Sequence, residues 1–311
     1  MTHCLEQFKH HKVDFMGSLL VKVKTKMSIH AHEKVRGLLE GQYGSVFKGR
    51  SMDFDDLREY IPGDDVKDID WKATARSGQT RIKRYVAVRK HNILLVVDTG
   101  RDMAALSDGG DVKKDVSVMA AGVIGYIAQK HGDLVALVAG NAEGSKYLPL
   151  KSSNDHLERI LQHIDAGANL EGTPSDLTVQ LEYIARTIRR RMMLIIISDD
   201  GLLTKKHEKL LRRLGAQHEI MWLTVGDANI CDEKWQNDIM EEIDDRLAIP
   251  QFLRKSKKLE QEFLSSTKSQ HEQFMASANR LGISSERIAG EEDVVSGIFK
   301  LLERQRSARR K

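Results

Sequence analysis

Cysteine, proline and aromatic residues are all scarce in this chain of 311 residues. The two cysteines, Cys4 and Cys231, lie far apart. They supply neither a disulfide framework nor the paired spacing of a zinc site, and they fit a reducing compartment. Four prolines and a 5% aromatic share argue against a β-sandwich and against an aromatic-rich nucleic-acid platform. Long apolar runs are missing too. The longest, at 192–197, is strand-sized, far short of the roughly 20 residues of a membrane helix. The N-terminus carries His, Lys and Glu without a long apolar core, so no signal peptide is expected. The expectation is a soluble, cytoplasmic protein. Charge of one sign is also lacking, with 49 basic against 45 acidic residues and a net charge of +4. Much of that excess sits in the tail at 305–311. A basic tail attracts nucleic acid or acidic membrane, but a solvated helix end whose cations suit the C-terminal dipole explains it more simply.

Several catalytic and ligand motifs are absent as well. Gly41-x-x-Gly44 lacks the lysine and hydroxyl of a phosphate loop. No Gly-x-Ser-x-Gly elbow occurs, and Ser198-Asp199-Asp200 has no obvious histidine partner. His3, His10, His11, His30 and His32 show no metal-binding helix spacing and read as a charged helix face.

What the chain does contain is a strand–helix rhythm beginning near residue 91. Continuous apolar runs at 92–97, 134–139 and 192–197, with another strand at 218–225, read as strands covered on both faces. Helices are expected over 112–130, from an Asn154 cap to 164, from a Ser175 cap to 191, and over 204–214 before Gly215. Such alternation implies right-handed β-α-β units and an α/β fold with a doubly wound, mainly parallel sheet. Residues 229–281 break the rhythm and read as a helical insertion before a last strand at 283–289 and a helix at 291–304. Residues 1–40, with Val13, Phe15, Leu19, Leu20 and Val23, suggest one or two amphipathic helices. Residues 41–90 form a turn-rich segment ending in an alternating strand at 80–88.

That turn-rich segment is the most distinctive part of the chain. After Gly41-Gln42-Tyr43-Gly44-Ser45 it reads Phe54, Leu57-Arg58-Glu59-Tyr60, Pro62-Gly63-Asp64-Asp65, Ile69-Asp70-Trp71 and Ala75-Arg76. This ordered string resembles the signature of the bacterial family named domain of unknown function 58. Lys67 stands where that family usually has arginine. In that family the string precedes a von Willebrand factor A-like domain, and the resemblance extends over roughly residues 35–300. With the patterns above, this divides the chain into an N-terminal helical segment (1–40), a signature segment (41–90), a von Willebrand A-like domain (91–304, with the insertion at 229–281) and a basic tail (305–311). Arg58 and Arg76 are suited to bidentate pairing with carboxylates such as Asp64 or Asp70, with Tyr60 and Trp71 as apolar anchors. On one reading this network, with Glu59 and Asp65, is a buried clamp; on the other it is a partner-recognition surface. The clamp is the expectation.

The resemblance also raises a metal question, because von Willebrand A domains often hold an ion at the carboxyl ends of their strands. The pattern is Asp-x-Ser-x-Ser, then a Thr, then an Asp. Asp98 matches, but Gly100 and Asp102 replace both serines. Thr173 fills the Thr position, with Ser175 as the alternative, and Asp199 matches the last aspartate. Mg²⁺ needs about six oxygens in an octahedron, and Gly100 offers none. The expectation is therefore a degenerate site with no cofactor, or at most Mg²⁺ held weakly. Arg101 or a lysine is a candidate to pair with the acids instead, and Gly100→Ser with Asp102→Ser is expected to restore metal binding.

The resemblance implies a non-catalytic protein–protein interaction module acting with a MoxR-type AAA+ ATPase in maturing or remodelling a protein complex. The alternatives are a metal-dependent hydrolase built on Asp98, Asp102 and Asp199, for which no nucleophile or base is evident, and a nucleic-acid binder using the basic tail.

Overall fold

The structure, a computed structural model, describes residues 18–30, 52–87, 91–229 and 257–308, with scattered positions within 37–46 and 231–250. For 29–30, 52–56 and 83–87 it describes the backbone alone. Val13, Phe15, the first three histidines of the N-terminal group, most of the insertion before 257, and residues 309–311 of the tail lie outside the described residues.

Two sheets form. The smaller pairs β1 (Met52–Glu59) with β2 (Arg81–Ala87) in antiparallel register, Glu59 opposite Arg81 and Met52 opposite Ala87, with an irregularity at Phe54/Asp56. The short helix α2 (Trp71–Ser77) lies between them in sequence. The larger sheet comprises β3 (Asn92–Asp98), β4 (Leu134–Asn141), β5 (Gly144–Lys151), β6 (Met193–Asp199), β7 (Glu219–Val225) and β8 (Ser284–Ile288). Its order is β5-β4-β3-β6-β7-β8, all parallel except the edge strand β5. The strand order reverses between β3 and β6, because β4 follows on one side of β3 and β6 on the other. Open α/β sheets place ligands at the carboxyl ends of the strands flanking such a reversal.

The continuous apolar runs are explained by burial on both faces. Ile93, Leu95 and Val97 of β3 enter one core, while Leu94 and Val96 enter the other; β6 divides in the same way. The first core is covered by α1 (Leu19–His30), α3 (Lys113–Lys130), α4 (Asn154–Gly167) and α8 (Val294–Ala308). The second is covered by α5 (Leu177–Thr187), α6 (Lys205–Gly215) and α7 (Lys257–Arg280), with Phe274 of α7 edge-on to Trp222 of β7 at 5.3 Å. Helices on both faces of one sheet make the architecture doubly wound.

The N-terminal helix belongs to this core. Leu20, Val23 and Met27, at helical spacing, are buried, and Val23 fills the notch left by Gly122 of α3, where a Cβ would meet its Cγ2 at 2.6 Å. Glu158 of α4 caps α1, accepting the backbone N–H groups of Leu19 and Leu20 at 2.9 and 2.8 Å. Tyr43, fully buried, donates to Asp133 at 2.7 Å and stacks on His131.

Several sequence expectations need correction. Strand β5 carried no readable signal: it is a half-exposed edge strand whose Pro149 lies where its register with β4 shifts, a position that tolerates a missing N–H. Strand β1 likewise falls in the stretch expected to be turns. The cap of α4 is Ser153, not Asn154, and the cap of α5 is Asp176, not Ser175. Helix α5 ends at Thr187, four residues before 191. A 3₁₀ turn, Glu291–Asp293, precedes α8.

Candidate functional site

Two places carry the sequence-derived candidates. The first is the rim where the strand order reverses. Asp98 ends β3 and Asp199 ends the adjacent parallel strand β6. Asp98 is 2% exposed, and its Oδ1 accepts the Gly100 N–H at 2.8 Å. Burial pushes its carboxyl up to about 7; the Gly100 N–H opposes the shift, and the charges of Asp199 and Asp102 add to it. Burial pushes Asp199 up to about 6, against the pull of the Lys113 ammonium. The structure thus brings Asp98, Asp102 and Asp199 within electrostatic reach of one another. Thr173 reaches the site through its carbonyl, which accepts the Arg101 N–H at 2.9 Å.

Gly100 has a different meaning from the one its place in the motif suggests. A Cβ there would lie 2.5 Å from both Cα and N of Ser175, so the loop bearing Thr173 and Ser175 closes directly onto the Gly100 backbone. Glycine is present because of this close approach, with an ordinary negative φ. The expectation that Gly100→Ser restores a metal site is therefore wrong: the new side chain would collide with backbone before reaching any ion.

Nor do the acids form a metal cage. Among the described residues, no three His, Cys, Asp or Glu side chains stand close enough to share an ion. The site instead faces a buried lysine, Lys113, bonded to Asp227. Gly100 supplies no oxygen, and the three carboxylates Asp98, Asp102 and Asp199 are not assembled into one set of ligands among the described residues.

Beside the rim, residues 101–112 run across the strand ends as a strap. Ser107 bridges Asp227, the Asp108 N–H donates to Gly226 O at 2.9 Å, and the Gly109 N–H to Ala289 O at 2.7 Å. Arg287 of β8 locks the strap, donating from Nε to Asp200 at 2.6 Å and from Nη1 to Asp108 at 2.9 Å. Its guanidinium lies over Gly226, where a Cβ would meet Cζ at 2.2 Å.

The second place is the signature unit of β1, α2 and β2. Its small core is Ile69 against Ile82, joined by a bridge. Asp70 caps α2, accepting the N–H groups of Lys72 and Ala73 at 3.0 Å, and Asp65 caps the preceding 3₁₀ turn through the Lys67 N–H. These roles account for two of the carboxylates as local chain-folding devices. Arg58 donates to Asp64 Oδ1 at 2.6 Å and to Glu59 O at 3.0 Å. The pair raises the guanidinium and holds Asp64 below its ordinary range, through their hydrogen bond first. It stands at the surface, with the Arg58 side chain 40% exposed.

Glu59 faces Arg81 at 4.0 Å, the half-buried Tyr60 donates its N–H to Thr80 O, and Arg76 is exposed. The expected buried clamp is not what the chain builds. Trp71 is the clearest departure: it is 66% exposed rather than an apolar anchor, and Ile61 and Val66 are exposed beside it in sequence. Sequence reasoning missed Lys113, Arg287, Ile61 and Val66. Only Lys113 had a usable signal, as a lysine opening the helix that follows the acidic loop.

At the C-terminus, Arg304 is tied to Glu286 at 2.6 Å and to Ser285 O. No helix among the described residues is long and apolar enough to cross a membrane.

Solved structures similar in fold include a von Willebrand factor type A protein from Catenulispora acidiphila, 10% identical, with TM-score 0.42 over 72% of this chain and 44% of that one. Another is the SpRpn10 VWA domain, 12% identical, with TM-score 0.39 over 67% and 94%. An aerotolerance-related membrane protein from Bacteroides fragilis is 13% identical, with TM-score 0.43 over 69% and 99%. Uncharacterized proteins of Mycobacterium tuberculosis and Mycobacterium bovis are 30% identical over 208 residues, 65% of this chain and 63% of theirs. The match thus spans less than two thirds of the length of these relatives. Residues 56–232, which include most of the signature unit and both acidic strand ends, match the family described as "Protein of unknown function DUF58", and the chain belongs to that family.

Proposed function

We propose that this chain is a non-catalytic protein–protein interaction module that docks its partner through the signature unit. One observation carries the reading: Trp71 opens α2 with two thirds of its surface in solvent, and the exposed Ile61 and Val66 lie in the same loop-rich unit. Scattered exposed aliphatics are ordinary, but an exposed tryptophan among charged neighbours has the composition of an interface centre, where Trp and Arg dominate binding energy. Arg58, Glu59 and Asp64 supply a polar surround. The caps at Asp65 and Asp70 hold the unit in shape without a partner, so little ordering is left to be done on docking.

The family resemblance supplies the partner class, a MoxR-type AAA+ ATPase, in maturation or remodelling of another protein complex; the setting is cytoplasmic. Nucleic acid is the weaker reading, because Arg304 is already committed to Glu286 and no aromatic reader accompanies the tail.

The test is a pull-down from native lysate by the immobilised chain, with ATP hydrolysis assayed in the captured material. Wild type is expected to capture an ATPase, and Trp71→Ala to lose it. Captured material without ATPase activity, or capture unaffected by Trp71→Ala, would defeat the reading.

A further inference from the structure

The strand-end rim holds a cation of its own. Lys113 is the first residue of α3 and is 2% exposed. Its ammonium bonds Asp227 and acts on Asp199. This is an unfavourable place for a lysine on two counts. The N-terminal end of an 18-residue helix presents the positive end of its dipole, and an ammonium removed from water loses its hydration. Only nearby carboxylates offset both penalties. Lys113 bonds Asp227 and acts electrostatically on Asp199, which feels Asp227 and Asp102 as well, and whose charge acts on Asp98.

The lysine is also fixed in place by backbone. Its N–H donates to Ala105 O at 2.8 Å, and the strap preceding it is pinned to the ends of β7 and β8. On the opposite side, the Ser175 backbone closes onto Gly100. The rim is thus charge-compensated by the chain itself, and Ser175 closes it on the Gly100 side.

We propose that Lys113 is the resident cation of this rim: its ammonium neutralises Asp199 and Asp227 in place of a divalent ion, so the strand ends neither take up Mg²⁺ nor offer a metal to a partner's carboxylate. This assignment uses none of the signature residues, so failure of the docking reading leaves it untouched.

The experiment compares melting temperatures of the full chain with and without excess Mn²⁺, for wild type, Lys113→Met and Lys113→Arg. Wild type is expected to show no shift with Mn²⁺. Lys113→Met, which keeps most of the unbranched side chain and loses its charge, is expected to melt several degrees lower and to recover on adding Mn²⁺. Lys113→Arg keeps the charge and is expected to remain indifferent to Mn²⁺. If Lys113→Met alone does not fold, adding Asp199→Asn and Asp227→Asn, which removes the stranded charges, is expected to return folded protein. A wild-type melting temperature that rises with Mn²⁺ would overturn the assignment. So would a Lys113→Met protein that melts like wild type, one that stays destabilised in Mn²⁺, or an insoluble triple variant.

Discussion

Asp98→Asn is expected to stabilise the protein at pH 8 and to leave it little changed near pH 3, below both the unfolded and the folded pKa. The reason is proton linkage. Burial raises Asp98 from an ordinary 3.8 to about 7, and Asp199 to about 6. Both groups therefore bind protons more tightly in the folded than in the unfolded chain. Between about pH 4 and 7 the native state holds the extra protons, so stability falls as pH rises through that window and is lowest once both carboxyls are ionised. At about 1.4 kcal/mol per pKa unit, ionising Asp98 in the folded state costs roughly 4 kcal/mol. Asparagine still accepts the Gly100 N–H and carries no charge, so it removes that cost. For a domain of this size the gain corresponds to roughly 5–10 °C in melting temperature. A melting profile of the wild type that is flat from pH 5 to 8, or an Asp98→Asn variant that melts lower at pH 8, would contradict this account.

Arg287→Ala is expected to have the opposite sign and no such pH window. The guanidinium spans Asp200 and Asp108, and its side chain is 22% exposed. Its removal leaves two neighbouring carboxylates without their cation and opens the space above Gly226. Breaking a buried pair costs about 3–5 kcal/mol; with Asp108 partly exposed, about 2–3 kcal/mol is expected here. The strap from β3 to β8 should loosen with it, visible as faster amide exchange at Asp108 and Gly109, whose N–H groups bond the ends of β7 and β8. Arg287→Lys keeps the charge but not the two-pronged geometry, so it should recover only part of the loss.

The parts of the fold that were legible in the sequence are those where burial imposes a pattern. Strands β3, β4, β6 and β7 are covered on both faces and read as unbroken apolar runs, and the helices between them are bounded by caps or glycine. Strand β5 failed this test because its outer edge is solvent, its residues are half exposed, and Pro149 interrupts it. Strand β1 reads Met-Asp-Phe-Asp-Asp-Leu-Arg-Glu, a charge-rich string that pairing with β2 makes into a strand.

The site was legible as chemistry and not as geometry. Asp98, Asp102, Thr173 and Asp199 were found because strand ends and a family pattern pointed to them. What decides their behaviour is non-local. Ser175 touches Gly100 from 75 positions away, and the compensating lysine is bonded to Asp227 across 114 positions. The clamp expectation failed for a related reason. Charge density between Arg58 and Arg76 was visible, but the sequence does not show which side of a two-stranded unit faces solvent. Two of the carboxylates are taken up in helix and turn caps, and Trp71 is left outside.

The role proposed for the signature unit is binding and not clamping. Its most direct test measures melting temperature and affinity for the captured ATPase together, for Trp71→Ala and Arg58→Ala. Both side chains are exposed at the surface, so both variants should melt close to wild type. Loss of an interface tryptophan typically costs 2 kcal/mol or more, so Trp71→Ala should weaken binding about thirtyfold or further, with a smaller loss for Arg58→Ala. Variants that bind as tightly as wild type, or that lose binding only because they melt many degrees lower, would contradict the assignment.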